Sequence, residues 1–158
     1  MDNLFRLRTM TPRLERLAAL TLFATLSPGE LRIVDGLLHQ RDYLTGEVVF
    51  DEGEEGQAIY IVLDGSVRIG RQALGDDGFI TELQPGAFFG DMALLDSSPR
   101  IAQARAATNA TLAVLFREDF LSLMETHARI ASKVALQLAR QMGARLRLLE
   151  DERTAGHR

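Results

Sequence analysis

Between Arg41 and Phe116 the chain breaks every few residues into a short apolar run, with Gly46, Gly53, Gly56, Gly65, Gly75, Gly78 and Gly86 between the runs. That rhythm is incompatible with a helical interior and calls for β-strands joined by turns, as in a barrel or jelly roll. The strands expected are Arg41–Leu44, Glu47–Phe50, Ala58–Asp64, Ser66–Arg71, Phe79–Leu83, Gln103–Ala107 and Thr111–Phe116. Asp64-Gly65 is expected to join IYIVL to SVRI as a tight hairpin, and Gly75-Asp76-Asp77-Gly78 to form a polar hairpin tip.

Helical patterns bracket this region. Leu14, Leu17, Ala18 and Leu20 predict an amphipathic helix over Pro12 to Phe23. Ser27-Pro28-Gly29-Glu30 supplies an N-cap, a proline in the first turn and a capping-box glutamate for a second helix to about Leu38. After Arg117 a short helix carrying Leu121, Leu123 and Met124 leads into a long one from about Ala128 to Glu150. Its stripe of Ile130, Val134, Leu138, Met142, Leu146 and Leu149 needs a partner: the barrel at its start and a second copy of the chain further along. Arg140, Arg145 and Arg147 flank the stripe and are assigned to solvation or to pairing with Glu150 and Asp151. The fold class expected is α+β, a double-stranded β-helix or jelly-roll barrel with N-terminal helices and a long C-terminal helix. Its segments are 1–39 helical, 40–117 barrel with an inserted turn at 86–102, 118–151 helical and 152–158 a polar, frayed tail.

The 158 residues suit one domain, and no apolar run approaches a membrane span of about 20 residues. Arginines interrupt the N-terminal apolar residues, so a signal peptide is not expected and the cytoplasm is. The chain has no cysteine and only three histidines, His39, His127 and His157, at spacings that put no two on one helical face. This argues against a metal-dependent enzyme on such a barrel, and no nucleophile–base pair offers another route to catalysis. The net charge of −4 gives no general attraction to nucleic acid, and Arg6, Arg8, Arg13 and Arg16 are assigned to a solvated helix face.

The run FFGDMALLDSSPRIA, Phe88 to Ala102, concentrates the chemistry. Gly90 permits a left-handed backbone and close approach, and Asp91-Met92-Ala93-Leu94 is expected to form one helical turn with outward-facing N–H groups that attract an anion. The Asp91 carboxylate would repel a phosphate and is better suited to a sugar hydroxyl. Arg100 supplies a guanidinium able to hold two phosphate oxygens.

With helix, barrel, inserted turn and long helix in this order, the chain resembles the cyclic nucleotide-binding domain family, in the manner of catabolite activators and protein kinase A regulatory subunits. The resemblance covers roughly Leu22 to Glu150 and rests on LFATLSPGEL, GEVVFDEGEEGQAIYIVLDGSVRI and PGAFFGDMALLDSSPRIAQARA. It implies that the last segment is the phosphate-binding cassette. Arg100 would pair with the cyclic phosphate, with Met92, Ala93, Ile101 and Ala102 beside it, and Gly90 and Asp91 would meet the ribose. Leu149 and Glu150 fall where the catabolite-activator branch meets the base. Asp91 is one methylene shorter than the family's glutamate, and Ile101 replaces a residue that often carries a hydroxyl. Relatives of the activator type continue into a winged helix-turn-helix, whereas this sequence runs to Arg158, so the expectation is a sensor domain, free-standing or part of a longer regulator, without DNA contact of its own.

The function expected is therefore a non-catalytic sensor, dimeric through its last helix, with no metal and no cofactor. Its ligand would be a cyclic nucleotide, cAMP before cGMP. The alternative is a degenerate member serving as a dimerisation or protein-interaction module, or binding another ligand such as cyclic di-GMP.

Overall fold

The computed structural model describes residues 10–71 and 78–156. Helix α1 (Pro12–Ala18) is capped by the Thr11 hydroxyl, which accepts from the Leu14 N–H at 3.2 Å. The helix predicted to reach Phe23 stops there, because Leu20 is extended and the chain re-enters a separate 3-10 turn at Thr21–Phe23. That break lets Leu20, Leu22 and Phe23 all turn inward. Helix α2 (Pro28–Asp35) carries the predicted capping box: Ser27 Oγ accepts from the Glu30 N–H and Glu30 Oε1 accepts from the Ser27 N–H. It ends at Gly36, short of Leu38.

Eight strands follow among the described residues: β1 (His39–Tyr43), β2 (Val48–Phe50), β3 (Ala58–Asp64), β4 (Val67–Gly70), β5 (Phe79–Leu83), β6 (Phe88–Phe89), β7 (Gln103–Ala106) and β8 (Ala110–Phe116). They form two antiparallel four-stranded sheets, ordered β1-β8-β3-β6 and β2-β7-β4-β5. The two-residue β6, too short to show a period of two, was not among the strands predicted. Helix α3 (Arg117–Thr126) and the long helix α4 (Ala128–Ala155) close the chain. The last helix thus runs five residues beyond the predicted Glu150, into the segment expected to fray.

The Asp64-Gly65 turn is not a hairpin. β3 pairs with β8 and β6, β4 with β7 and β5, so the turn carries the chain from one sheet to the other. It lies against a second such corner: the Ser66 N–H donates to Thr108 Oγ1 at 3.0 Å, and the Ala107 N–H donates to the Ser66 carbonyl at 3.0 Å. A Cβ on Gly65, whose φ is +75°, would run into the Asn109 carbonyl. Asp-Gly suits any sharp turn, and only the pairing of the following strand decides which kind it makes. The true β4–β5 hairpin is closed at its base by the Arg71 N–H donating to the Gly78 carbonyl at 2.6 Å. Its expected tip at Gly75, Asp76 and Asp77 lies outside the described residues.

Alternation along β3 and β8 builds two cores. Ile59, Ile61, Ala113 and Leu115 pack outward under the helices, with Leu17, Leu22, Phe23, Leu31, Phe120, Val134 and Leu138. Val62 and Leu112 point between the sheets, where they meet Phe50, Val67, Phe89, Ala104, Ala106 and Ala110. The second core is small because β7 contributes alanines.

Helix α4 buries only its first half, at Ile130, Ala131, Val134, Gln137 and Leu138, while Leu146 and Leu149 are exposed. The buried half is pinned by Lys133 Nζ, which donates to the capping Glu30 Oε1 at 2.7 Å. The hydrogen bond from Lys133, and next that from the Ser27 N–H, hold the Glu30 carboxyl down to about 2 against the opposing effect of burial. Arg13 and Arg16, expected on a solvated face, pair with Asp35 at 2.6 Å and Asp64 at 3.0 Å, and Arg6 and Arg8 lie outside the described residues.

Two outcomes are expected. Because the folded Glu30 carboxyl is depressed, its stabilisation is present above the ordinary value of 4.5 and is lost as pH falls towards about 2. Glu30→Gln should lower thermal stability at neutral pH and flatten the acid dependence between pH 5 and 2, read by melting curves across that range. Gly65→Ala should destabilise by more than about 1 kcal/mol in denaturant titration, since it combines a positive φ with a backbone clash.

Candidate functional site

The segment from Phe88 to Ala102 is held between β3 and the Asp51–Gly56 loop. Gly90 is left-handed, at φ 72° and ψ 20°, and opens a 3-10 turn over Asp91–Leu94. Within that turn the Ala93 N–H donates to the Gly90 carbonyl at 3.1 Å. One of the amides assigned to an anion cradle therefore has a partner inside the turn. Met92 is half exposed, and Ala93 is buried.

Arg100 is fixed at backbone and side chain. Its N–H donates to the Glu54 carbonyl at 2.7 Å, and its own carbonyl accepts from the Gly53 N–H at 2.9 Å. Nη1 donates to the Gly90 carbonyl at 3.0 Å and Nη2 to the Ala58 carbonyl at 2.7 Å. The guanidinium lies 4.2 Å from the centroid of Phe50 and 5.8 Å from that of Tyr60. Phe50 and Tyr60 also contact Phe89, whose ring stacks on Tyr60 at 5.4 Å. Burial pushes the guanidinium below its ordinary value, opposed by Tyr60, Glu54 and Asp91, but arginine retains its charge through such a shift. A Cβ on Gly90 would stand 2.6 Å from Arg100 Nη1, so this glycine is required both for its φ and for the approach.

Asp91 is 7% exposed, the one acidic residue among the buried polar groups described. Its partner comes from α4: Arg145 Nη1 donates to Asp91 Oδ1 at 3.1 Å, and Nη2 donates to the Phe88 carbonyl at 3.1 Å. The Arg145 guanidinium lies 5.0 Å from the Phe88 centroid. This corrects the assignment of Arg145 to solvent or to Glu150 and Asp151. Three residues on from Met142, it occupies the place where the apolar stripe passes the turn, and a charge breaking a stripe was the available signal.

The expected site residues thus divide. Gly90, Asp91 and Arg100 are brought together around one peptide unit. Ala102 is buried, and Ile101 is the most exposed of the large apolar residues described, at 75%. Leu149 and Glu150 are exposed on α4 one turn beyond Arg145. Phe50 and Tyr60, which pack the guanidinium, and Phe89, which packs on their rings, are not singled out by the sequence; for Tyr60 the alternation along its strand is the available signal.

Arg117 is a second arginine of the site that was not anticipated. Its Nη1 donates to the carbonyls of Gly56, Ala93 and Asp96 at 2.9, 3.2 and 2.8 Å. Asp96 in turn accepts from the Ser98 N–H at 2.9 Å, and the hydrogen bonds from Ser98 hold its carboxyl below the usual range.

Comparison with known proteins places this geometry. The family model for the cyclic nucleotide-binding domain matches residues 40–127. The chain is 38% identical to the cyclic AMP receptor protein of Thermus thermophilus over 77% of its own length and 56% of that protein's. It is 30% identical to a CRP-like cAMP-activated global transcriptional regulator of Mycobacterium tuberculosis, over 81% of the chain and 58% of the relative. It therefore spans just over half the length of these curated relatives. Among solved structures, the catabolite activator protein of Thermus thermophilus superposes with a TM-score of 0.76 at 38% identity, covering 85% of this chain and 62% of the other. A cyclic nucleotide-binding domain of Methylobacillus flagellatus gives 0.76 at 25% identity, covering 88% and 79%. With the jelly roll, the inserted turn and the matched residues in agreement, the chain belongs to the cyclic nucleotide-binding domain family.

Proposed function

We propose that the chain is a non-catalytic sensor of a cyclic nucleotide, cAMP before cGMP, working in the cytoplasm as the ligand-reading part of a transcriptional regulator. One observation carries this: Arg100 and Asp91, a half-buried cation and a buried anion, flank the same Gly90–Asp91 peptide at the inserted turn. A cyclic phosphate and an adjacent ribose hydroxyl present the complementary pair. Arg100 takes the phosphate, with the backbone of Met92, Ile101 and Ala102 and the wall at Ala93 around it. Gly90 and Asp91 take the ribose. Leu149 and Glu150, one turn past Arg145, are the base contacts.

The route out of the site is the ion pair to α4. A carboxylate has lone pairs for two partners, so a ribose hydroxyl on Asp91 shares or displaces Arg145. Either event changes what holds the distal half of α4, whose exposed Leu146 and Leu149 are the surface of a homodimer. A ligand moves such a helix only if it binds one arrangement better than the other.

The second reading, an interaction module that has lost its ligand, has its own observation. The Arg100 guanidinium and the Asp91 carboxylate already have protein partners. Titration calorimetry with cAMP, cGMP and cyclic di-GMP separates the two. Saturable heat with cAMP is expected, and heat with none of the three would sink the sensor reading in favour of the module.

Two variants follow. Arg100→Ala removes two charge-assisted hydrogen bonds to phosphate, each worth about 1.5–3 kcal/mol, and should weaken cAMP binding at least roughly 100-fold. An unchanged Kd would refute the assignment. Arg145→Ala should leave cAMP bound but abolish the ligand's effect on amide exchange over 143–155, measured by mass spectrometry with and without cAMP. A response equal to the parent's would remove Arg145 from the relay.

A further inference from the structure

Arg117 stands at the junction of β8 and α3, where two loops meet. Its backbone N–H donates to the Gln57 carbonyl at 2.8 Å, and its guanidinium donates to the neighbouring Gly56 carbonyl at 2.9 Å. The same Nη1 reaches across to Ala93 and Asp96 in the inserted turn, at 3.2 and 2.8 Å. One terminal nitrogen with two hydrogens thus serves three carbonyls, so at least one hydrogen is shared.

Of the residues it grips, Gly56 lies against Arg100 and Ala93 borders the same space. A Cβ on Gly56 would stand 3.1 Å from Ala93 Cβ, 3.2 Å from Arg100 Cζ and 3.3 Å from Arg100 Nε. There is room for the guanidinium beside Gly56 and Ala93 and for little else. A displacement of Gly56 or Ala93 therefore changes the space left beside the Arg100 guanidinium, whose donors hold the Gly90 and Ala58 carbonyls.

We propose that Arg117 is a positioning residue for ligand binding: it ties the Gly56 loop to the inserted turn and so sets the slot that aims Arg100, without touching the ligand itself. This rests on the cyclic nucleotide reading above. A lysine keeps the charge and has donors enough for three carbonyls, but its shorter, flexible stem does not hold an ammonium where Nη1 stands. The same contacts join the turn to the start of α3, so they also fix where the helical layer begins relative to the site.

The test uses the whole chain as Arg117→Gln and Arg117→Lys, with two measurements. The first is the Kd for cAMP by calorimetry. The second is the Nε–H cross-peak of Arg100 in the free protein, identified by its absence from the spectrum of Arg100→Lys. The expectation is binding weakened about tenfold or more, with the Arg100 cross-peak displaced or broadened while the backbone spectrum of the barrel overlays the parent's. An Arg100 cross-peak unmoved in the variants overturns the proposal whatever the Kd, and so does a parental Kd where the parent binds. If the parent itself takes no cAMP, the sensor reading fails and the cross-peak alone judges the role of Arg117. Should the glutamine variant not fold, the lysine variant carries the test; loss of folding in both would make Arg117 structural and overturn the proposal.

Discussion

The pairing of β3 with β8 is the constraint on which the rest depends. Ala58–Asp64 and Ala110–Phe116 are apolar almost throughout because each face of this ladder is covered, one by the helices and one by the opposite sheet. Along such a strand a one-residue slip would exchange the residues of the two cores. Ile59 and Ile61 would then enter a space lined by alanines, and Tyr60 would meet the helical layer. The same ladder carries the site, since Ala58 supplies a carbonyl to Arg100, Tyr60 a ring, and the edge beyond Ile61 the short β6 from which the inserted turn departs.

Placing a guanidinium in that setting is costly without compensation, because desolvation disfavours the charged form. Two carbonyls and the face of Phe50 provide it. These partners are weaker acceptors than a phosphate and leave part of the guanidinium's donor capacity for one. Arg100 is therefore preorganised: its place is set by protein contacts alone, which would lower the entropic cost of the phosphate binding proposed for it.

Much of this was legible in the sequence, and the exceptions have physical causes. The strands Ala58–Asp64 and Phe79–Leu83 and the capping box at Ser27 declare themselves by composition and local spacing. The Asp64-Gly65 turn misleads because its geometry is local while the partner of the next strand is not. Gly90, Asp91 and Arg100 could be named from one contiguous segment. Arg145 and Arg117 could not, since the former lies 54 residues from its partner Asp91 and the latter 61 from Gly56. An arginine that binds backbone carbonyls at long range has no complementary residue to look for. The depressed Glu30 carboxyl is a mixed case, with its cap visible locally and its lysine far along the chain.

The long helix is anchored at Lys133 by an acidic cap and at Arg145 by the inserted turn, and beyond that it carries exposed leucines. The second anchor lies on the same carboxylate to which the sugar is assigned, which gives the helix a reciprocal property. If occupancy of Asp91 alters the free energy of seating the distal turns, then anything that seats those turns alters occupancy by the same factor. A neighbouring subunit, an adjoining domain or DNA bound far from the barrel would each retune the concentration at which the ligand is read. Measured on the isolated chain and on the chain joined to its partners, the affinity would then take two values, and their ratio would be the coupling transmitted through one arginine.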